Sequence, residues 1–109
     1  MPRHEFGWMD TAPLPTARYD TYEPQTYRYI SVDDAYIEPL LDRLADIDLY
    51  WHSLAVPGKG LAYCGITLIP PSAAPAFMEV IAGVPELQEL YALLCTAQEK
   101  GAFLIHYGI

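Results

Sequence analysis

Apolar residues recur with a spacing of about 3.6 in three segments of the chain, and each of these patterns predicts a helix. The clearest pattern follows Pro85, where Leu87, Leu90 and Leu94 share one face before Gly101 ends the segment. Each helix is expected to bury its apolar stripe against other parts of the chain, because its opposite side is polar. The three predicted helices span residues 39–46, 72–83 and 85–101.

Alternating or β-branched segments predict four strands. Residues 26–32, TYRYISV, are rich in β-branched and aromatic residues and end at a turn-forming Asp-Asp pair. The last segment, FLIHY, alternates, with Phe103, Ile105 and Tyr107 on one face. Between these two segments, the pattern of residues 47–68 predicts a hairpin of two strands. Together with the helices, these segments predict the order β-α-β-β-α-α-β.

The predicted hairpin turns at Pro57-Gly58, a pair typical of β-turns. In that register Trp51 faces Cys64 on an apolar side that is expected to join the core. Cys64 is therefore expected to be a buried, reduced thiol beside Trp51. Because His52 then lies on the other side of the hairpin, the register excludes a nucleophile–base pair of His52 and Cys64.

The other face of the predicted sheet carries histidine and tyrosine. The hairpin places Tyr50, His52 and Tyr63 there, and His106 can join them because it alternates with the apolar residues of its strand. Such a group can bind a metal or transfer protons, but no third metal ligand is evident, and neither a metal nor a cofactor is expected. Exposed aromatic patches also mark contacts. The four residues are therefore candidates for a ligand site or a protein interface, and an ordinary half-exposed sheet face is the alternative.

The composition indicates one folded domain. The chain has 109 residues, of which 52% are hydrophobic and 18% are charged, too apolar for a disordered chain. Residues 1–24 are rich in Pro, Thr and Tyr without a sustained period and predict an N-terminal arm, and residues 25–109 predict the domain. We expect an α+β fold in which helices pack on one face of a single-layer, mainly antiparallel sheet. The arm and a second subunit are the two candidates for covering the other face.

The chain is strongly acidic. It has six Lys and Arg residues and 14 Asp and Glu residues, which gives a formal net charge of −8. Direct nucleic-acid binding is therefore disfavoured, because it relies on clustered positive charge. Four acidic residues near the first predicted helix form either a docking surface for a basic partner or simply a solvated side. They are Asp34, Glu38, Asp42 and Asp46.

The cysteines and the apolar stretches favour a cytoplasmic chain. Cys64 and Cys95 lie among apolar neighbours, belong to no CxxC pair, and are expected to be reduced core residues. The apolar stretches are shorter than the roughly 20 residues of a membrane-spanning helix. The first ten residues also lack the apolar core of a signal peptide. We expect no membrane contact.

No catalytic motif identifies the chemistry of the chain. The segment VPGKG, residues 56–60, lacks the spacing of a phosphate-binding P-loop, and GxSxG, HExxH and EF-hand patterns are absent. Small size and acidity favour an intracellular protein-interaction protein, such as an inhibitor, an immunity-type protein, a regulatory partner or an assembly subunit. The alternative is a small-ligand-binding protein or enzyme that uses the His/Tyr face.

Overall fold

Six strands form one antiparallel sheet in the computed structural model, which describes residues 2–109. They are β1 (Arg3–Trp8), β2 (Arg28–Asp33), β3 (Asp48–Trp51), β4 (Pro57–Lys59), β5 (Ile66–Ile69) and β6 (Leu104–Tyr107). Their order across the sheet is β2-β1-β6-β5-β3-β4. The first and last strands in sequence, β1 and β6, are therefore neighbours inside the sheet.

Helices pack on one face of this sheet, which confirms the predicted α+β fold. They are α1 (Asp34–Ile37), α2 (Leu41–Leu44), α3 (Ala74–Ile81) and α4 (Gln88–Lys100), and a 3-10 turn (Glu38–Leu40) joins α1 to α2. Phe77 of α3 and Leu90 of α4 share one buried cluster with Phe6 and Leu104 of the sheet. The apolar stripes predicted for the last two helices face this cluster, since burial of apolar area is the main force that holds such layers together.

The opposite face of the sheet is covered by residues 9–27, which we call the crossing segment because it connects β1 to β2. A second apolar cluster lies beneath it and includes Leu68, Ile105 and Tyr107 of the sheet. Tyr19 packs on this cluster, and its backbone N–H donates to the carbonyl of His52 at 2.7 Å. Both faces of the sheet are therefore buried.

Strand β1 differs from the predicted N-terminal arm. Arg3–Trp8 pairs with β2 on one side and with β6 on the other, so this part of residues 1–24 belongs to the sheet. The strand was not predicted, because polar residues are buried on both of its faces, His4 on one and Glu5 on the other, so neither face is clearly polar or apolar. The observed order is β-β-α-α-β-β-β-α-α-β.

The predicted hairpin register is wrong. Pro57 and Gly58 lie inside β4, where they pair with Tyr50 and Leu49, and the turn closes earlier with a bond from the Val56 N–H to the Ser53 carbonyl at 3.0 Å. Strand β5 pairs with the other edge of β3, with Trp51 opposite Thr67. Cys64 therefore does not face Trp51, and it is exposed in the turn that precedes β5. The turn signal of Pro-Gly is overridden by packing, because Gly58 lies against the Trp51 indole.

Candidate functional site

The structure divides the four predicted His/Tyr residues between the two faces of the sheet. Tyr50 packs on the cluster beneath the crossing segment, and His52 lines a cleft on the same side. His106 lies on the helix face, where its ring centroid is 4.9 Å from that of Phe6, and Tyr63 belongs to the polar group on this side. The four residues therefore do not share one surface, and the predicted His/Tyr face is wrong.

The reason lies in the choice of the core face of β6. His106 is indeed opposite Ile105 and Tyr107, as predicted, but those two residues face the crossing segment and not the helices. Alternation alone does not tell which side of a strand the helices cover when both sides are buried.

Five polar side chains form a continuous chain of hydrogen bonds beneath the helices, which we call the polar chain. Tyr63 Oη donates to Asp34 Oδ2 at 2.7 Å, and His4 Nε2 lies 2.8 Å from Asp34 Oδ1. His4 Nδ1 is 2.8 Å from His106 Nε2, and His106 Nδ1 is 3.1 Å from Thr67 Oγ1. The side chains of His4, Thr67 and His106 are completely buried.

The pKa shifts of Asp34 and His106 limit where protons can lie in the polar chain. The hydrogen bond from His4, and then that from Tyr63, hold the pKa of Asp34 below its usual 3.8, so the ionised carboxylate accepts both hydrogen bonds. Burial, and then the nearby His4, hold the pKa of His106 well below 6.5, so this imidazole is neutral. A neutral imidazole has one N–H, so His106 donates to one of its two neighbours, His4 Nδ1 or Thr67 Oγ1, and accepts from the other.

The order Thr-His-His-Asp places a hydroxyl, a base and an orienting carboxylate in sequence, as nucleophilic catalysis requires. A substrate cannot reach the hydroxyl, however, because Thr67 has no exposed surface. At the outer end, the Asp34 carboxylate raises the pKa of Tyr63 to about 12, so this phenol stays protonated. The polar chain therefore links β1, α1, β5 and β6 by hydrogen bonds. Within residues 2–109, every buried side-chain N or O atom has a hydrogen-bond partner.

Sequence reasoning missed His4 and Thr67 and gave Asp34 a different role. Asp34 was a candidate for an acidic docking surface, but its side chain is only 15% exposed and is held by the polar chain. A signal for His4 was present, because His4, Phe6 and Trp8 have the two-residue spacing of one strand face.

The other acidic candidates, Glu38, Asp42 and Asp46, are exposed. Asp46 lines an open groove of about 490 Å³ between the start of β3 and α3, together with Asp48 and Glu79. Asp48 is also bound by Lys59 at 2.6 Å across the β3–β4 pair. Three of the four acidic candidates are therefore exposed and Asp34 is not, and a docking role for the three stays a prediction.

His52 and Cys64 line one open cleft of about 390 Å³, contrary to the predicted opposite faces. His52 has a positive φ of 64°, which is uncommon for a residue with a side chain, and its Nδ1 lies 3.0 Å from Asp20 Oδ1. Its Nε2 accepts a long bond from the Ile66 amide at 3.4 Å. Within the described residues Cys64 makes no hydrogen bond to His52, so the cleft contains no assembled thiol–imidazole pair.

Strand β2 leaves one edge of the sheet open. The bond from the Asp34 amide to the Pro2 carbonyl, 3.0 Å long, continues the β1–β2 ladder and fixes which groups face β1. Because bonded and non-bonded pairs alternate, the N–H and C=O groups of Tyr29, Ser31 and Asp33 point away from the sheet. We call these outward backbone groups the open edge.

The two edges of the sheet are protected to different degrees. Strand β4, at the far edge, is only three residues long and contains Pro57 and Lys59, which blunt an edge against further pairing. Strand β2 has six residues, none of them proline or lysine, and its register with β1 is uninterrupted. Tyr29 of this strand is 48% exposed.

Among residues 2–109, no group of three or more His, Cys, Asp or Glu side chains is arranged to hold a metal ion. No helix in that range is long and apolar enough to cross a membrane. No protein-family model, no curated protein and no solved structure matches the chain.

Proposed function

We propose that this chain is a small acidic protein-interaction protein that binds an extended segment of another polypeptide along the open edge. The observation that carries this proposal is the six-residue β2, which ends the sheet with a row of outward backbone groups, of which the Ser31 carbonyl already accepts one bond from Arg3. Strand addition at such an edge gains backbone hydrogen bonds, and neighbouring side chains supply selectivity. Tyr29 is suited to that second role, because it is half exposed on β2 and aromatic side chains are enriched at interfaces.

The roles that fit this mode of binding are those of an inhibitor, an immunity-type protein, a regulatory partner or an assembly subunit. Exposed Glu38, Asp42 and Asp46 would attract a basic partner and speed its association. A reducing compartment such as the cytoplasm suits the chain, because Cys64 and Cys95 are both free thiols. Its net charge of −8 does not favour a nucleic-acid partner.

The alternative, a ligand site or enzyme built on a shared His/Tyr face, has less support. His52 and His106 lie on opposite faces of the sheet, and the face beneath the crossing segment is covered. The polar chain has an arrangement typical of catalysis, but its Thr67 hydroxyl and both of its imidazoles are closed to substrates.

Affinity capture with edge variants tests the proposal. An isotope-labelled bait is incubated with native lysate, so that captured polypeptides, including copies of the chain itself, are distinguished from the bait by mass. Ser31→Pro removes an outward N–H donor, whereas Ser31→Ala is the matched control that keeps it. We expect the wild-type chain and Ser31→Ala to capture a polypeptide that Ser31→Pro does not.

Circular dichroism and a melting curve must show that Ser31→Pro remains folded. If the folded Ser31→Pro variant captures the same polypeptide as the wild type, the open edge is not the binding site. If none of the three baits captures anything, the proposed interaction function is wrong.

A further inference from the structure

The open edge is complementary to itself. In an antiparallel pair of β2 strands, only registers that bring outward groups opposite outward groups form hydrogen bonds. The register with Ser31 opposite Ser31 of a second copy satisfies this condition and overlaps the strand most completely. Tyr29 then lies opposite Asp33, and every outward N–H of these residues finds a carbonyl.

Charge also favours this antiparallel pairing. Strand β2 begins with Arg28 and ends with Asp33, followed by Asp34, so its positive end meets the negative end of the second copy. Arg3 lies on the same part of the sheet, which therefore contains two of the six Lys and Arg residues of the chain. The strong repulsion between two acidic chains is reduced at this edge.

Neither the flanking side chains nor Arg3 prevents the pairing. The Arg3 guanidinium donates to the Ser31 carbonyl at 3.0 Å, but a carbonyl oxygen has two lone pairs and can accept a second bond. Ile30 and Val32 face each other across the pair, on the helix side of the sheet, and extend the apolar core.

We propose that the occupant of the open edge is a second copy of this chain, joined by β2–β2 pairing with Ser31 on the two-fold axis. This inference rests on the proposed function and names its partner. The two sheets then form one continuous antiparallel sheet whose outer edges are the blunt β4 strands.

Sedimentation across a concentration series tests the pairing. We expect a dimer for the wild type and Ser31→Ala. Ser31→Lys keeps the N–H but places like charges opposite each other, and Ser31→Pro removes the donor, so each should weaken dimerisation at least about tenfold. If the proline variant does not fold, Ser31→Lys still tests the pairing.

A disulfide trap tests the register. Opposed residues of a hydrogen-bonded antiparallel pair have Cα atoms about 5.5 Å apart, within disulfide range. Ser31→Cys, with Cys64 and Cys95 replaced by serine, should oxidise to a covalent dimer. Glu79→Cys in the same background, on α3 beside the groove near β3, should not.

A wild-type chain that stays monomeric, or a Ser31→Cys variant that cross-links no faster than Glu79→Cys, overturns the self-pairing. If capture from lysate nevertheless depends on the open edge, the proposed function stands with a different partner. Ser31→Lys also distinguishes self-pairing from binding of a different partner, because it places like charges opposite each other only when both strands belong to this chain.

Discussion

His4 and His106 share a single hydrogen bond inside the sheet, and this limits the charge that the pair can carry. The two facing nitrogens are 2.8 Å apart and have room for one hydrogen between them, so the rings cannot both be protonated. The pKa of His106 lies well below its usual 6.5, because its ring is buried and next to His4. Below pH 6.5 the unfolded chain therefore binds a proton that the folded chain does not, and stability falls as pH decreases.

We expect the free energy of unfolding to decrease between pH 7 and pH 5, by up to about 1.4 kcal/mol per pH unit for one proton. His106→Gln should be less stable at pH 7 by about 1–3 kcal/mol, since it disturbs the polar chain, but its decrease with pH should be shallower. Urea titrations followed by tryptophan fluorescence measure both quantities. Equal slopes for the two proteins would show that His106 is not the source of the pH dependence.

Helices α3 and α4 and strand β6 were predicted from the sequence, whereas strand β1 was not. The stripes that predict helices over 72–83 and 85–101 correspond to α3 and α4, because each helix buries one stripe and leaves its other side exposed. Strand β1 is buried on both sides, and its sign in the sequence was limited to the two-residue spacing of His4, Phe6 and Trp8. The predicted hairpin register was wrong for another reason. Pro-Gly favours a turn locally, but Gly58 lies inside β4, where only a residue without a side chain fits against the Trp51 ring.

Gly58→Ala tests this packing of β4 on β3. An added Cβ would lie 2.5 Å from the Trp51 indole, so we expect a loss of about 1–3 kcal/mol in the free energy of unfolding. Gly83→Ala is the matched control, because a Cβ there meets nothing within 4 Å. Thermal and urea denaturation of both variants measure the difference. A Gly58→Ala variant as stable as Gly83→Ala would contradict the contact with Trp51.

Across the whole molecule, the polar chain draws on four separate elements. His4 and His106 are 102 residues apart in sequence, and Asp34 and Thr67 lie on yet other elements. No local spacing marks such a group, so it becomes visible only when the strand order is known. The same order makes β1 essential, because it connects β2 to the rest of the sheet.

Deleting residues 1–9 should therefore abolish the fold and not merely expose a patch. The truncated chain loses Phe6 and His4 from the buried interior and separates β2 from β6. We expect a largely unfolded or aggregated product by circular dichroism and light scattering. Replacing the exposed residues 14–16 of the crossing segment by Gly-Ser-Gly is the control and should leave the fold intact. A folded, monomeric truncation product would contradict the central position of β1.

The position of β6 between β1 and β5 also determines when the molecule can be completed during synthesis. Strands β1 and β2 can pair as soon as both have left the ribosome, but the other edge of β1 waits for residues 104–107. Until then the nascent chain has two additional unpaired edges, on β1 and β5, and an incomplete core around Phe6. Such non-local closure is slow and leaves a growing chain open to wrong pairing, so the period before β6 emerges is when this protein depends most on protection by chaperones.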